Sequence, residues 1–104
     1  MWRDIKIQGI AKIDKLVSEY NIWELYISPY AKFKIKIYEE SKNLFTGYTN
    51  IQIVDELGNF YGALGHGKTE EEALENTILH FFEMTARKDK WEEEDFQFAE
   101  SSDF

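Results

Sequence analysis

Residues 32–39 alternate without a break. Phe33, Ile35 and Ile37 point one way and Lys32, Lys34 and Lys36 the other, the period of a half-buried strand with one wet face. A polar loop at Ser41-Lys42-Asn43 leads into a second predicted strand, Tyr48 to Val54, and Phe60 to Leu64 predicts a third. Between these two, Asp55-Glu56-Leu57-Gly58-Asn59 reads as a turn in which Gly58 or Asn59 supplies a positive φ, giving an antiparallel hairpin. The period changes towards both ends of the chain. Ile10, Ile13, Leu16, Val17 and Tyr20 line one face of a helix over about residues 8–20, with Asn21 as its stop. Ile22 to Ile27 fits either a short strand or an apolar loop, and Pro29 marks a break. Thr69 followed by Glu72 is a capping box. It opens a helix whose stripe is Leu74, Ile78, Phe81, Phe82 and Thr85, and which reaches Arg87 or Lys88.

The pattern predicts an α+β domain of order α-β-β-β-α over residues 1–90, with a three-stranded antiparallel sheet packed against N- and C-terminal helices. Residues 91–104 form an acidic extension, either a flexible tail or one that docks through Trp91, Phe96 and Phe98. No repeat or linker divides the chain.

With 104 residues, three Trp, six Tyr and eight Phe, one domain has enough apolar area for a modest core. The absence of cysteine removes disulfides and thiolate metal sites, and suits a reducing compartment. No apolar run reaches membrane-spanning length and the first residues lack the core of a secretory signal, so a cytoplasmic protein is expected.

Charge divides the chain in two. Residues 1–68 hold nine Lys/Arg against eight Asp/Glu, and residues 69–104 hold three against twelve, so the net charge of −8 arises in the last third. A field of that sign repels nucleic acid and anionic membrane and attracts basic protein surfaces, besides keeping an aromatic-rich chain in solution.

One segment, Gly62 to Asn76, carries motifs. Gly62-Ala63-Leu64-Gly65-His66-Gly67-Lys68-Thr69 satisfies the phosphate-loop pattern G-x-x-x-x-G-K-[ST]. Against nucleotide binding, Glu70, Glu71 and Glu72 occupy the helix turn that would receive the phosphates. The preceding strand belongs to an antiparallel hairpin, where that fold needs a parallel sheet. Gly65-x-Gly67-x-Thr69-x-x-x-Ala73 resembles the junction of the last strand and helix in double-stranded RNA-binding domains. There the glycines permit a tight turn, the hydroxyl caps the helix and the alanine packs on the sheet. The resemblance implies the α-β-β-β-α architecture. The two lysines with which that family grips phosphate are Glu70 and Glu71 here, which reverses the attraction. Gly67 to Asn76 is also similar to a stretch of HicB-type antitoxins, small proteins that neutralise an RNA-cleaving toxin. That similarity implies an acidic inhibitor.

Other sites are sparse. His66 and His80 lack metal-ligand spacing and read as a turn residue and a helix flank, and no cofactor or metal is expected. Glu92-Glu93-Glu94-Asp95 lacks the alternating oxygens of a calcium loop and reads as a solvated charge run. No nucleophile–base set is present, so an enzyme is not expected. The expected function is a non-enzymatic interaction module, of inhibitor, antitoxin, immunity or phage type, that presents carboxylates to a basic, nucleic-acid-binding protein. Glu70, Glu71, Glu72, Glu75 and Glu92 to Asp95 (Glu92, Glu93, Glu94, Asp95) would make the contacts, with Trp91, Phe96 and Phe98 as anchors. The alternative is a nucleic-acid-binding module using the Lys32, Lys34, Lys36 face, with Tyr38 and Tyr48 as stacking platforms.

Overall fold

The computed structural model describes residues 1–25 and 27–99. Four strands, β1 (Lys15–Trp23), β2 (Lys32–Ser41), β3 (Leu44–Val54) and β4 (Phe60–Gly67), form an antiparallel meander in the order β1-β2-β3-β4. One helix, α1 (Glu70–Thr85), covers one face. A last short strand, β5 (Phe96–Phe98), returns to pair antiparallel with β3. The expected three-stranded sheet between two helices is therefore incorrect: the sheet has four strands plus β5, and its only helix of any length among the described residues follows β4.

The missing N-terminal helix has a local cause. Residues 15–23 are an edge strand with a β-bulge between Leu16 and Ser18. The extra residue, Val17, shifts the alternation, so that Val17, Tyr20 and Ile22 all pack against the core. A spacing of three followed by two imitates a helical stripe. Ile10, which the helical reading placed on that stripe, lies instead in an irregular N-terminal arm and is 54% exposed. Two ion pairs tie this arm to β2, Arg3–Glu39 and Lys12–Glu40, each at 2.9 Å. A groove of about 530 Å³ lies between the arm and the end of β2.

The core sits between the sheet and α1. Phe33, Ile35 and Ile37 of β2 are fully buried there, and Phe33 stacks on Phe81 of α1 at 4.3 Å. Ile51 and Ile53 of β3, Ala63 of β4 and Ala73 of α1 complete it with Phe96. The turn between β3 and β4 forms as the sequence predicts, with Gly58 at φ 86° and Asp55 accepting from the amides of Leu57 (2.8 Å) and Asn59 (2.9 Å).

β3 changes neighbours halfway along. Residues 49–51 bulge opposite Ala63, where Thr49 Oγ1 accepts from the Ala63 amide and donates to the Ile51 carbonyl, both at 2.9 Å. At the same place Asn50 takes the Lys34 amide on its side-chain oxygen (2.8 Å) and the Ala99 amide on its carbonyl (2.7 Å). β2 departs from β3 there and β5 takes its place. The described part of the acidic extension thus belongs to the domain.

α1 stops at Thr85, short of Arg87 and Lys88. The Trp91 indole donates to the Thr85 carbonyl at 2.9 Å, and the Arg87 guanidinium leaves the helix axis to donate to the Val54 carbonyl. Among the described residues no helix is long and apolar enough to cross a membrane.

Candidate functional site

α1 is built from three rows of residues. The innermost row, Ala73, Thr77, Phe81 and Thr85, is buried at helical spacing. It lies on glycine backbone: a methyl group added to Gly65 would strike the Thr77 amide, one on Gly67 the Ala73 amide, and one on Gly47 the Thr77 hydroxyl. The Gly65-x-Gly67 motif is therefore a seat for the helix. Gly62 to Gly67 is extended strand inside β4, antiparallel to β3, and offers no loop to cradle a phosphate. The hydroxyls of Thr77 and Thr85 donate back to the Ala73 (2.7 Å) and Phe81 (3.0 Å) carbonyls, which satisfies them without leaving the helix.

A second row closes the outer edge of β4. Asn76 donates to the His66 carbonyl at 2.7 Å, and His80 Nδ1 lies 3.1 Å from the Leu64 nitrogen and 3.0 Å from its oxygen. These are the edge groups of a sheet that would otherwise be open. In the sequence His80 reads only as a helix flank, although Asn76 and His80 are four residues apart on a helix that follows the strand directly.

The outer row carries the charge. Thr69 caps the helix, its hydroxyl accepting from the Glu72 amide at 3.1 Å, and Glu71, Glu72, Glu75 and Glu83 are exposed. Glu70 differs from its neighbours, since it accepts from the Ser18 hydroxyl at 2.9 Å and ties the helix start to β1. Leu79 and Phe82 lie among these carboxylates, 54% and 42% exposed. The sequence pattern places Phe82 on the buried stripe. Its place at the margin of that stripe, three residues after Leu79, is the signal that it faces outward.

The acidic extension lies elsewhere. α1 is about 24 Å long at 1.5 Å per residue, and the 3-10 turn Glu93–Asp95 follows its far end, so structure separates Glu70 to Glu75 from Glu92 to Asp95. Glu92, Glu93 and Glu94 are exposed. Asp95 is engaged: it accepts from the Glu92 amide (2.8 Å) and from Lys88 (2.9 Å), which hold its carboxyl below the usual range. Of the three expected anchors, Phe96 is 5% exposed in the core. Trp91 packs on Phe96 with Lys88 over its ring at 4.5 Å, and Phe98 keeps half its surface open beside Tyr30.

The opposite face of the sheet is open and carries Lys32, Lys34 and Lys36. Lys32 lies over the Trp23 ring at 5.0 Å, and Lys36 pairs across the ladder with Glu19 and with Tyr48. Tyr38 and Tyr48 meet edge-on at 5.9 Å. Burial raises both phenols. Beside them Lys12 donates to Glu40 (2.9 Å), and buried Thr46 donates to the other oxygen of that carboxylate (2.9 Å). Having spent its one proton there, Thr46 accepts from His66 Nδ1 at 2.9 Å. The bond from Lys12, with help from Thr46, lowers the Glu40 carboxyl below the ordinary glutamate range. Among the described residues no group of three or more His, Asp and Glu side chains is placed to hold a metal ion.

Comparison with protein-family models, curated proteins and solved structures found no match to this chain.

Proposed function

We propose that the chain is a non-enzymatic interaction module that binds a basic surface of another protein through the outer face of α1. The observation that carries this reading is the composition of that face. That face holds four exposed glutamates, Glu71, Glu72, Glu75 and Glu83, and no lysine or arginine, and Leu79 and Phe82 are exposed among them. Carboxylates alone would give attraction without register; an apolar pair within them supplies the desolvated centre around which an interface is specific. Glu71, Glu72 and Glu75 are the contacting acids in this reading, with Leu79 and Phe82 as anchors. Glu92, Glu93 and Glu94 supply long-range steering from the far end of the helix. The partner class is a protein whose basic surface ordinarily receives nucleic acid, as an inhibitor or antitoxin would require.

Affinity capture from the native host tests this. The wild-type chain should retain a basic protein. Glu71/Glu72/Glu75→Lys should lose it, and Phe82→Ala should weaken it by about tenfold or more, on the order of 1.4 kcal/mol. Retention of the same partner by the charge-reversed chain would reject the helix face.

The second reading, a nucleic-acid-binding sheet face, draws on one observation: Lys32, Lys34 and Lys36 share the open face with Tyr38 and Tyr48. It requires duplex or single-stranded binding that weakens steeply with salt and disappears in Lys32/Lys34/Lys36→Glu.

A further inference from the structure

The two edges of the sheet are treated differently. On β4, α1 reaches the outward groups: Asn76 donates to the His66 carbonyl, and His80 Nδ1 bonds one of the Leu64 N–H and C=O. On β1 nothing does. The Glu24 amide donates to the Ala31 carbonyl at 3.0 Å, continuing the register in which Ile22 opposes Phe33 and Tyr20 opposes Ile35. Alternation along an antiparallel ladder then turns the N–H and C=O groups of Glu19, Asn21 and Trp23 outward. Among the described residues none of these groups has a hydrogen-bond partner.

An uncapped edge of this length is a template for another strand, and proteins usually blunt such edges with charges, proline or bulges. β1 has a bulge at Val17 near one end, no proline, and only two charged residues, Lys15 and Glu19. Its other half carries Trp23 at 74% exposure, with Tyr20 and Ile22 half-buried on the helix side of the sheet.

We propose that β1 is a self-association edge, on which a second copy of the chain adds its own β1 antiparallel about a two-fold axis at Asn21. The sequence selects this register. With Asn21 opposite its own copy, Glu19 opposes Trp23 of the second copy and Tyr20 opposes its Ile22, so no like charges meet. About six main-chain bonds close the two edges. Lys32, which lies over Trp23, is then in the same cross-strand row as Glu19 of the second copy. Moving the axis two residues, to Glu19, would set two carboxylates face to face, which opposes pairing. The bulge at Val17 ends the ladder on the other side. The resulting sheet runs continuously through both copies, and the two α1 helices stay on one of its faces with their outer rows uncovered. The inference does not depend on what α1 binds.

Sedimentation of the full chain across roughly 10 µM to 1 mM should show a shift from the 12.4 kDa monomer towards twice that mass. Asn21→Pro, which removes an outward donor and leaves the β1–β2 ladder intact, should weaken association at least tenfold with an unchanged circular dichroism spectrum. The chain has no cysteine, so Asn21→Cys gives a single thiol. Opposed residues of a hydrogen-bonded pair lie about 5.5 Å apart at Cα, within disulfide reach, and oxidation should yield a covalent dimer. Tyr61→Cys, an exposed position on β4, should not cross-link. A monomer at every concentration overturns the proposal. A dimer as tight in Asn21→Pro as in the wild type, or equal cross-linking through Tyr61→Cys, also overturns it. Should Asn21→Pro fail to fold, the two cysteine variants still decide.

Discussion

Gly65 shows how the same residue can suggest a ligand in the sequence and a packing contact in the structure. Its Cα lies so close to α1 that an added methyl would meet the Thr77 nitrogen, the Asn76 carbonyl carbon and the Asn76 Cβ, two of which are backbone and cannot swing aside. Gly65→Ala should therefore destabilise the fold by about 1–3 kcal/mol in urea unfolding. Gly62→Ala, whose methyl meets Thr49 Oγ1 at 3.3 Å, should cost less. Equal effects at the two positions would contradict the packing account. Glu40 is the second residue whose role is physical before it is chemical. Its folded pKa is lowered, chiefly by the bond from Lys12 and then by Thr46, so it contributes stability that is fully present above the unfolded value, about pH 4.3 for a glutamate. That contribution is lost as pH falls through the lower folded value. Glu40→Gln should flatten the acid side of the stability curve relative to wild type. A slope unchanged between pH 5 and pH 2 would show that the Lys12–Glu40–Thr46 contacts are not formed in solution.

At the scale of elements, the described part of the acidic extension is structural. β5 fills the place beside β3 that β2 vacates at Asn50, and it carries Phe96 into the core. Phe96→Ala should cost about 3–5 kcal/mol, and a chain ended at Lys90 should lose at least as much. Thermal unfolding that is unchanged by either would mean that the extension does not dock. Much of this fold is legible in the sequence. The alternation at residues 32–39, the Asp55 to Asn59 turn and the Thr69 cap each rest on local physics, and each forms where it was expected. Two elements were hidden for different reasons. β1 was obscured by its bulge, which turns a period of two into a spacing of three at Val17 and Tyr20. β5 is three residues long and has no period of its own; only its partner on β3 defines it. The candidate site was legible in its charges and not in its anchors. Five glutamates on α1 can be counted in the sequence. Which of Phe81 and Phe82 faces the solvent depends on where the helix meets Gly47, Gly65 and Gly67, a tertiary contact.

At the scale of the molecule, the fold separates two surfaces that the sequence mixes. The helix side presents Glu71, Glu72, Glu75 and Glu83 around Leu79 and Phe82, and the open sheet side presents Lys32, Lys34 and Lys36 with two tyrosines. A net charge of −8 favours a basic protein as the partner of the first surface over a polyanion as the partner of the second. Affinity for that partner should fall as ionic strength rises from about 50 to 200 mM, and duplex RNA should not bind at any of these concentrations. The claim that the helix face is the one that binds is tested most directly by titrating the captured partner into isotopically labelled chain and following backbone amide resonances. The account predicts that shifts cluster on residues 69–83, with Leu79 and Phe82 among the largest, while Lys32, Lys34 and Lys36 stay still. Shifts confined to the lysine face, with α1 unmoved, would contradict it.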